Sequence, residues 1–479
     1  MRMNLKSLSF ARAKDALETP VDIAWLAAFR VLFGLVMCFS TIRFIWYGWI
    51  ERSFVEPAFH FKYWGFGWVP APGLIAGYAI FVVLTVLAVA LTVGAWFRIT
   101  CPLFAILFIY VQLIDVTTYL NHYYLAGLLA CLLAVSPAHK AWSVDAYRAR
   151  SQVSFVARPW LWLFRFQVAI VYTFAGVAKA QPDWLLSSQP LGIWLSSLTD
   201  LFILGRFFSW DWAAPIMSWS GFLFDSTIVG WMLWHRTRPY AYIAIIVFHS
   251  LTRALFPIGL FPVIMMLAAL VFFPPDWPRR LATLVYPSVV PQCGVSPKRR
   301  SWSRFQLTTA LLFAIVQVVL PLRHLAYGGN VLWDEQGMRF SWRVMVREKN
   351  GSLTYSVKQR SSQRVFDMSP RKYLNPIQEK EMVGQPDLIL QLAHHIERDL
   401  GRKGFGPLEI RASAFVSLNG RPAAYLIDPT VDLARVRDGL GRADWIHPSP
   451  KGTIPRTHSI PHRVQPASIR TYTTSDLPP

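Results

Sequence analysis

An apolar run that ends in a lysine constrains this chain more than any other feature. Residues 160–184, WLWLFRFQVAIVYTFAGVAKAQPDW, are long enough to cross a bilayer, for which about 20 apolar residues suffice. Lys179 lies near the end of the run. A charged side chain at membrane depth either faces a protein interior, where it is a functional candidate, or extends to the headgroups. The run alone leaves both interpretations open.

Further apolar runs predict a polytopic α-helical membrane protein. The 479 residues are 54% hydrophobic with a mean hydropathy of +0.34, which is too apolar for an ordinary soluble enzyme. Runs of about spanning length predict about nine transmembrane helices. They lie near residues 23–46, 73–96, 100–118, 122–137, 160–180, 212–234, 240–256, 258–273 and 305–322.

Basic residues in the connecting loops predict the orientation. Alternate loops are rich in them: Arg98, Lys140, Arg148, Arg150, Arg158, Arg236, Arg238, Arg279, Arg280, Lys298, Arg299, Arg300 and Arg304. The short loops between these hold chiefly Arg52, Lys62 and Arg206. By the positive-inside rule, the N-terminal segment 1–22 is cytoplasmic and Lys179 lies near the outer surface. The net charge of +21 therefore indicates topology and a lipid bilayer as partner, and no nucleic acid.

The chain changes character after residue 323, where the predicted transmembrane domain (23–323) ends. Strand-like segments surround one helical stretch, DLILQLAHHIERDL (387–400), and Asn-Gly turns are expected at Asn350 and Asn419. The predicted strands are MRFSWRVMV (338–346), LTYSVKQ (353–359), LEIRASAFVSL (408–418) and AAYLIDP (423–429). Residues 324–450 thus form a predicted α+β extracytoplasmic domain (periplasmic, extracellular or ER-lumenal), and 451–479 a predicted disordered tail.

Several other polar residues lie at the depth of the predicted helices. They are Arg30, Arg43, Asp115, Asn121, His122, Arg165, Asp225, His249 and Arg253. On the predicted topology His122, His249 and Arg253 share the outer half of the membrane with Lys179 and converge on one pocket. Taken singly, each has a structural alternative. A histidine can be a satisfied interior hydrogen-bonding group, Arg30 and Asp115 can pair, and Arg43 can extend to the headgroups.

A lysine in an apolar pocket is suited to proton abstraction. Loss of water favours the neutral amine, and only the neutral amine accepts a proton. The expected guest is a lipophilic weak acid. No metal site is expected. The four cysteines have no ligand spacing, and His394, His395 and Glu397 are expected on a solvated helix face.

Ordered segments along most of the chain resemble one known family. The segments are FRVLFG (29–34), YLNHYYLAGLLA (119–130), WSVD (142–145), FRFQVAIVYTFAGVAKAQPDW (164–184), FHSLTRALFPIGLF (248–261), FFPPDWPRRL (272–281), YLNP (373–376) and IDPTVDL (427–433). They are similar to the vitamin K-dependent γ-glutamyl carboxylases and the wider group of membrane proteins with an HTTM domain. The resemblance runs from Asp22 to about Trp445.

This resemblance implies a lyase-type enzyme that uses vitamin K hydroquinone with O2 and CO2 and needs no metal. The family couples oxygenation of the hydroquinone to its epoxide with deprotonation and CO2 addition at glutamate side chains. Its catalytic lysine is the second of a Gly-Val-Lys-Lys run and maps onto Lys179, while Ala178 replaces the first lysine. Its Asn-His pair maps onto Asn121 and His122 as catalytic residues.

The resemblance also implies a quinone-binding segment, which contains His249, Arg253 and Phe256. A glutamate-containing protein or peptide is the implied partner. Two departures weaken the claim of propeptide-dependent processing. The chain ends soon after the α+β domain, unlike the longer animal carboxylases, and this domain has no cysteine for their inter-region disulfide. Alternatives remain: an epoxidase without glutamate carboxylation, a non-enzymatic quinone-binding scaffold, or a transporter.

Overall fold

The computed structural model describes residues 18–202, 204–285, 302–452 and residue 454. Long helices dominate the part before residue 323. They are α1 (Ala24–Trp46), α2 (Leu74–Val93), α3 (Phe97–Ile114), α4 (Asn121–Val135), α6 (Arg158–Lys179), α10 (Ala213–Leu233), α11 (Arg238–Leu255) and α14 (Arg304–Leu322). Shorter helices are α5 (Val144–Arg148), α7 (Pro182–Leu185), α8 (Leu191–Ser196), α9 (Gly205–Phe208), α12 (Phe261–Ala268) and α13 (Trp277–Val285). A two-residue ladder pairs β1 (Val21–Asp22) with β2 (Phe155–Val156).

The predicted count of nine transmembrane helices is not confirmed. Within the described residues, five helices are long and apolar enough to cross a membrane, namely α1, α2, α3, α6 and α14 with its extension to Ala326. A sixth is counted if the pair Phe261–Phe272 and Trp277–Leu284 is one span, although it bends by 98°. The bend falls at Pro274 and Pro275, where proline interrupts helical hydrogen bonding.

The remaining predicted spans form helices that are shorter or more polar than a simple span. Helix α4 has only 15 residues. Helices α10 and α11 are long, but Asp225 interrupts the apolar face of the first, and Arg238 and Arg253 lie within the second. These charged residues lower the mean hydropathy of both helices. Asp225 pairs with Lys179, while the two arginines bind nearby backbone carbonyl oxygens.

Arg30 and Asp115 do not form the pair considered from the sequence. Arg30 is fully buried in α1 and donates hydrogen bonds to the carbonyl oxygens of Ala138 and Trp142. Asp115 follows the last turn of α3 and binds His60 at 3.0 Å. The two residues therefore have different partners, and each contacts a different loop.

The C-terminal region contains an antiparallel sheet with strand order β4-β3-β5-β6. Its strands are β3 (Lys349–Gln359), β4 (Val365–Met368), β5 (Leu408–Leu418) and β6 (Ala424–Tyr425), and its helices are α15 (Val331–Asp334), α16 (Pro376–Val383) and α17 (Pro386–Arg402). Side chains along β5 alternate between buried and accessible, so one face of the sheet packs on a core. The apolar face of α17 covers that core through Leu388, Ile389, Leu392 and Ile396. A C-terminal sheet-containing region, as predicted, is confirmed.

Two local predictions for this region are wrong. Residues 338–346 form turns and no strand, because Phe340, Trp342 and Met345 adopt positive φ angles and the segment packs against the helical bundle. Asn350 and Gly351 lie inside β3 rather than in a turn. The predicted turn at Asn419 and Gly420 is present after β5, and both residues have positive φ, as tight hairpin turns require.

Polar contacts fasten the C-terminal region to the bundle. Gln378 at the start of α16 donates to the carboxylate of Asp115 at 2.7 Å. Arg421 binds both carboxylate oxygens of Asp183, at 2.6 and 2.7 Å, and Asn419 donates to the same carboxylate at 2.9 Å. Asp183 lies in α7, directly after the lysine-bearing helix α6. The C-terminal region is therefore held directly over the end of α6.

Some sequence predictions fall on residues that the structure does not describe. The greater part of the predicted tail, residues 455–479, is among them, as are Cys293 and the basic residues 298–300. The predicted orientation of the N-terminus and the boundaries of the four predicted segments stay predictions.

We expect Arg421→Gln to destabilise the protein. Desolvation would raise the pKa of Asp183, but hydrogen bonds from Arg421 and Asn419 hold it below its ordinary value of 3.8. Removing the guanidinium leaves a largely buried carboxylate with one partner, which costs about 3 kcal/mol. Thermal unfolding of the detergent-solubilised protein measures this loss.

The matched control is Arg411→Gln, because Arg411 is an exposed arginine on β5. The stabilisation by the Asp183 pair should be complete above pH 3.8. It should disappear as the pH falls from there through the lower pKa of the folded protein. Equal melting temperatures for the two variants at pH 7 would contradict the assignment.

Candidate functional site

A small apolar cavity lies at the end of α6 and contains the amine of Lys179. Its volume is about 90 Å³. The walls come from α6, α10, α11, α12 and the C-terminal region: Val171, Tyr172, Ala175, Lys179, Trp184, Leu191, Trp194, Met217, Gly221, Asp225, Phe248, His249, Thr252, Phe256, Ile258, Phe261, Met265, Val344 and Met345. Lysine, aspartate, histidine and tyrosine thus meet in one largely hydrophobic chamber.

Lys179 is buried and paired with Asp225. Its Nζ lies 2.7 Å from Asp225 Oδ2, and the two side chains are only 7% and 6% exposed. The ring of Trp184 lies 5.3 Å from the same nitrogen. Lys179 therefore does not extend to the headgroups. A proton between an amine and a carboxylate can reside on either atom, so the pair can exist as two ions or as two neutral groups.

A close approach of α6 and α10 makes this pair possible. A Cβ atom added at Gly176 would lie 2.7 Å from Ser226 Oγ and 3.0 Å from the Ser226 backbone nitrogen. Only a glycine leaves room for the two helices at this distance. Because Ser226 follows Asp225, the same contact brings the carboxylate to Lys179.

Tyr172 and His249 form a second polar pair on the cavity wall. The Tyr172 hydroxyl lies 3.0 Å from His249 Nε2, and both side chains are buried. When the hydroxyl donates to Nε2, the neutral ring carries its proton on Nδ1. Within the described part of the chain, His249 Nδ1 is buried and has no hydrogen-bond partner. It is therefore a donor that a bound molecule could use.

The C-terminal region closes the cavity with residues 335–345, the roof segment. Glu335, Phe340, Trp342 and Met345 have φ angles of 62°, 60°, 57° and 53°. Each such residue costs on the order of 1 kcal/mol, so the surrounding packing must hold it in place. Trp342 is fully buried and stacks on Tyr124 of α4 at 4.8 Å. The roof segment is thus anchored in the bundle.

Two family models match the chain. The HTTM domain matches residues 18–277, more than half of the sequence. The lumenal domain of vitamin K-dependent γ-carboxylase matches residues 302–452. The chain belongs to the vitamin K-dependent γ-carboxylase family. No solved structure matches it.

The C-terminal region corresponds to the lumenal domain of the γ-carboxylase family. The sheet, α16, α17 and the roof segment all lie within the matched lumenal domain. The protein is thus a membrane protein with a lumenal C-terminal domain. A vitamin K-dependent carboxylase-like function follows from the two matched domains together.

The structure brings together some of the sequence-predicted site residues. Lys179, His249 and Phe256 line the same cavity. Phe256 also packs against Trp194, with the ring centroids 5.8 Å apart. These three residues come from α6, from α11 and from the position directly after α11, so helix packing alone unites them.

The other predicted site residues lie outside the cavity lining. His122 is buried beside Phe261, whose ring lies 6.3 Å from it and 6.1 Å from the ring of His249. Asn121 accepts a hydrogen bond from the Tyr119 hydroxyl at 3.0 Å. Arg253 is exposed and donates to the Gly259 carbonyl at 2.5 Å. Their catalytic and quinone-binding roles stay predictions.

Sequence reasoning did not assign Tyr172 or Asp225 to the site. Tyr172 precedes Lys179 by seven residues, two helical turns, and so lies on the same face of α6. That spacing could have identified it. Asp225 was recognised at membrane depth, but nothing in the sequence pairs it with Lys179. The pairing depends on the contact of α6 with α10.

Ala178, which replaces the first lysine of the family run, lies outside the lining of the cavity at Lys179. It is buried in the core that Trp184 shares with the lumenal domain. Helical geometry turns neighbouring residues by about 100°, so Ala178 and Lys179 face different surroundings.

We expect a double-substitution cycle to show strong coupling between Lys179 and Asp225. Asp225→Leu leaves a buried amine without its carboxylate and should cost about 3–5 kcal/mol of unfolding free energy. Combining it with Lys179→Met replaces the pair by apolar side chains and should recover most of that loss. The measurement is thermal or denaturant unfolding in detergent.

The control for this cycle is Asp200→Leu, since Asp200 is exposed. It should change the unfolding free energy by less than about 0.5 kcal/mol. Simple addition of the Lys179 and Asp225 effects would show that the two side chains do not interact.

Proposed function

We propose that the protein is a vitamin K-dependent γ-glutamyl carboxylase. In this proposal it couples oxygenation of vitamin K hydroquinone to its epoxide with deprotonation and CO2 addition at glutamate side chains. Lys179 is the base. The observation that carries the proposal is the buried Lys179–Asp225 pair in an apolar cavity of a chain with both carboxylase-family domains.

The chemistry of the cavity suits a hydroquinone. Its rings would contact the apolar walls, and its hydroxyl groups would meet Lys179 on one side and the free Nδ1 of His249 on another. The volume of about 90 Å³ is below that of typical ligand pockets, about 300–1,000 Å³. Met217, Met265 and Met345 line the walls, and methionine side chains change rotamer at low cost. Binding therefore requires their movement.

Asp225 controls the protonation of Lys179. Once Lys179 has passed a proton to Asp225, its amine can turn its single electron pair from the carboxyl group to a bound hydroxyl group and accept the hydroxyl proton. The ammonium ion that forms stays next to Asp225 and close to the new oxyanion. The ammonium ion and the oxyanion remain shielded from water, and the low dielectric constant of the cavity makes their attraction strong.

His249 and Tyr172 act as a fixed hydrogen-bonding unit. Tyr172 determines which ring nitrogen of His249 is protonated, and Nδ1–H can then stabilise negative charge on a bound oxygen. His122 is one aromatic ring farther away, behind Phe261. His122 therefore supports Phe261 from behind, and a catalytic role for His122 and Asn121 stays a prediction.

The roof of the cavity serves to exclude water. Trp184, Val344 and Met345 cover Lys179 on the side of the lumenal domain. The bound hydroquinone supplies, on reaction with O2, the basicity needed to remove a γ-proton from glutamate. Water would consume that basicity, so an apolar cover is needed. A glutamyl side chain would approach between the roof segment and α8, from the side on which the lumenal domain lies.

We expect the purified protein to convert vitamin K hydroquinone to its epoxide and to fix CO2 into a glutamyl peptide. The assay measures epoxide by chromatography and carboxylation with labelled bicarbonate, with and without the peptide. The matched control peptide has aspartate in place of glutamate. Epoxide without label in the peptide would leave only the epoxidase half of the proposal standing.

The absence of both products would contradict an enzymatic function and would favour a quinone-binding scaffold or a transporter. Retention of hydroquinone by the purified protein would then separate these two. A scaffold retains it at equilibrium. A transporter instead moves it between the leaflets of a sealed vesicle.

We expect Lys179→Met and Lys179→Arg to reduce both products by at least 100-fold, the usual contribution of a general base. Arginine keeps the positive charge beside Asp225 but cannot lose its proton. It therefore separates loss of the base from loss of the ion pair. Lys372→Met, a change at an exposed lysine of the lumenal domain, should leave both activities intact. Normal activity of Lys179→Met would remove the lysine from the mechanism.

A further inference from the structure

Two cavities on another side of the molecule join into one groove with an apolar half and a polar half. The apolar half has a volume of about 200 Å³ and lies against α3 and α4. The polar half, of about 520 Å³, lies between the ends of α3 and α14 and the lumenal domain. Tyr63, Leu113 and Phe340 line both halves. We call the joined space the amphipathic groove.

The apolar half follows α4 over most of the thickness of one leaflet. Its wall on α4 extends from Tyr123 and Tyr124, near the start of the helix, to Cys131. At 1.5 Å per residue, the wall from Tyr123 to Cys131 spans about 12 Å, most of the roughly 15 Å that one leaflet contributes to the hydrocarbon core. Gly127 leaves the wall open in the middle, where an added Cβ atom would meet only Ile109, at 3.7 Å. An extended acyl chain fits this shape.

The polar half carries a surplus of positive charge. Its cationic side chains are Lys62, Arg323, Arg339, Arg437 and Arg442, and its acidic side chains are Asp334, Glu335, Asp387 and Asp438. Two of the acids are already engaged, since Asp387 binds Arg339 and Glu335 binds Arg347 and Lys349. Burial raises the pKa of Asp334 to about 6, so this carboxyl group loses its charge only in mildly acidic solution.

The rim of the groove has the composition of a membrane interface. Arg437 and Arg442 are exposed and flank Leu440, which is 60% exposed. Across the groove, Trp64 and Phe66 are also exposed. Aromatic side chains and arginines together are typical of the headgroup level of a bilayer. The composition of the rim therefore suits a position at the depth of lipid phosphates.

From this juxtaposition we propose that the amphipathic groove binds one anionic phospholipid from the leaflet next to the lumenal domain. The phosphate lies between Arg437 and Arg442, and an acyl chain lies along α4 past Gly127. Two exposed arginines suit a phosphate, which arginine binds through paired hydrogen bonds. Arg442 also contacts the exposed carboxylate of Asp444 at 3.2 Å, and the phosphate would take the place of that solvent-screened partner. The groove is separate from the cavity at Lys179, because the two share no lining residue.

The test is native mass spectrometry of the delipidated full-length protein in detergent. Phosphatidylglycerol is the anionic probe, phosphatidylcholine the zwitterionic one, and glycerol phosphate represents the headgroup without acyl chains. We expect one molecule of phosphatidylglycerol to be retained tightly. Phosphatidylcholine should bind at least tenfold more weakly, and binding of glycerol phosphate should not be measurable. Equal retention of both lipids, or retention of glycerol phosphate, would overturn the proposal.

Variants locate the binding to the groove. Arg437→Glu combined with Arg442→Glu should weaken phosphatidylglycerol binding by about tenfold or more. Gly127→Leu fills the apolar half and should weaken the binding of both lipids. The matched control, Arg364→Glu combined with Arg435→Glu, makes the same charge change at exposed arginines outside the groove. A loss in this control as large as in the groove variants would place the lipid elsewhere.

Before binding is measured, circular dichroism and melting curves are used to check that each variant is folded. The test needs no enzymatic activity. A failure of the lipid proposal is therefore independent of the proposed carboxylase function.

Discussion

A buried contact between an amine and a carboxylate organises this protein. Lys179 and Asp225 lie 2.7 Å apart on two helices that touch only because Gly176 leaves room for Ser226. Leaving either group alone in an apolar interior would cost several kcal/mol, so the pair requires the helices to stay together. The same requirement closes the cavity. Charged groups in a low-dielectric interior keep their mutual attraction only if water is kept out.

The lumenal domain completes what the helices begin. Asp183, four residues after Lys179, is held by Arg421 and Asn419, while Val344 and Met345 cover the cavity. The bundle and the lumenal domain also share an apolar core through Ala178 and Trp184. Any movement of the lumenal domain is therefore transmitted to the end of α6. In the proposed function, this arrangement links access of a lumenal substrate to the geometry around Lys179, because both depend on the same contacts.

The predictions from sequence succeeded where a local pattern has one physical meaning. The apolar helix with Lys179 is α6, the helical stretch 387–400 lies within α17, and Asn419-Gly420 is a turn. They failed where tertiary contacts replaced local preference. Residues 338–346 alternate like a strand, yet Trp342 is buried against the bundle and the backbone adopts positive φ angles there. The count of nine spans is not confirmed, since Asp225 in α10 and Arg238 and Arg253 in α11 lower the hydropathy of these two described helices.

The sequence by itself determined that the chain is a membrane protein, that Lys179 is its most informative residue, and which family it resembles. Apolar length, charge at membrane depth and ordered motifs are local properties, and the chain alone displays them. Only the tertiary structure decided that Lys179 meets Asp225, that Tyr172 holds His249, and that Asn121 and Arg253 lie outside the cavity lining. These facts depend on helix rotation and crossing distance, which are set by packing of the whole bundle and leave no mark on any single segment.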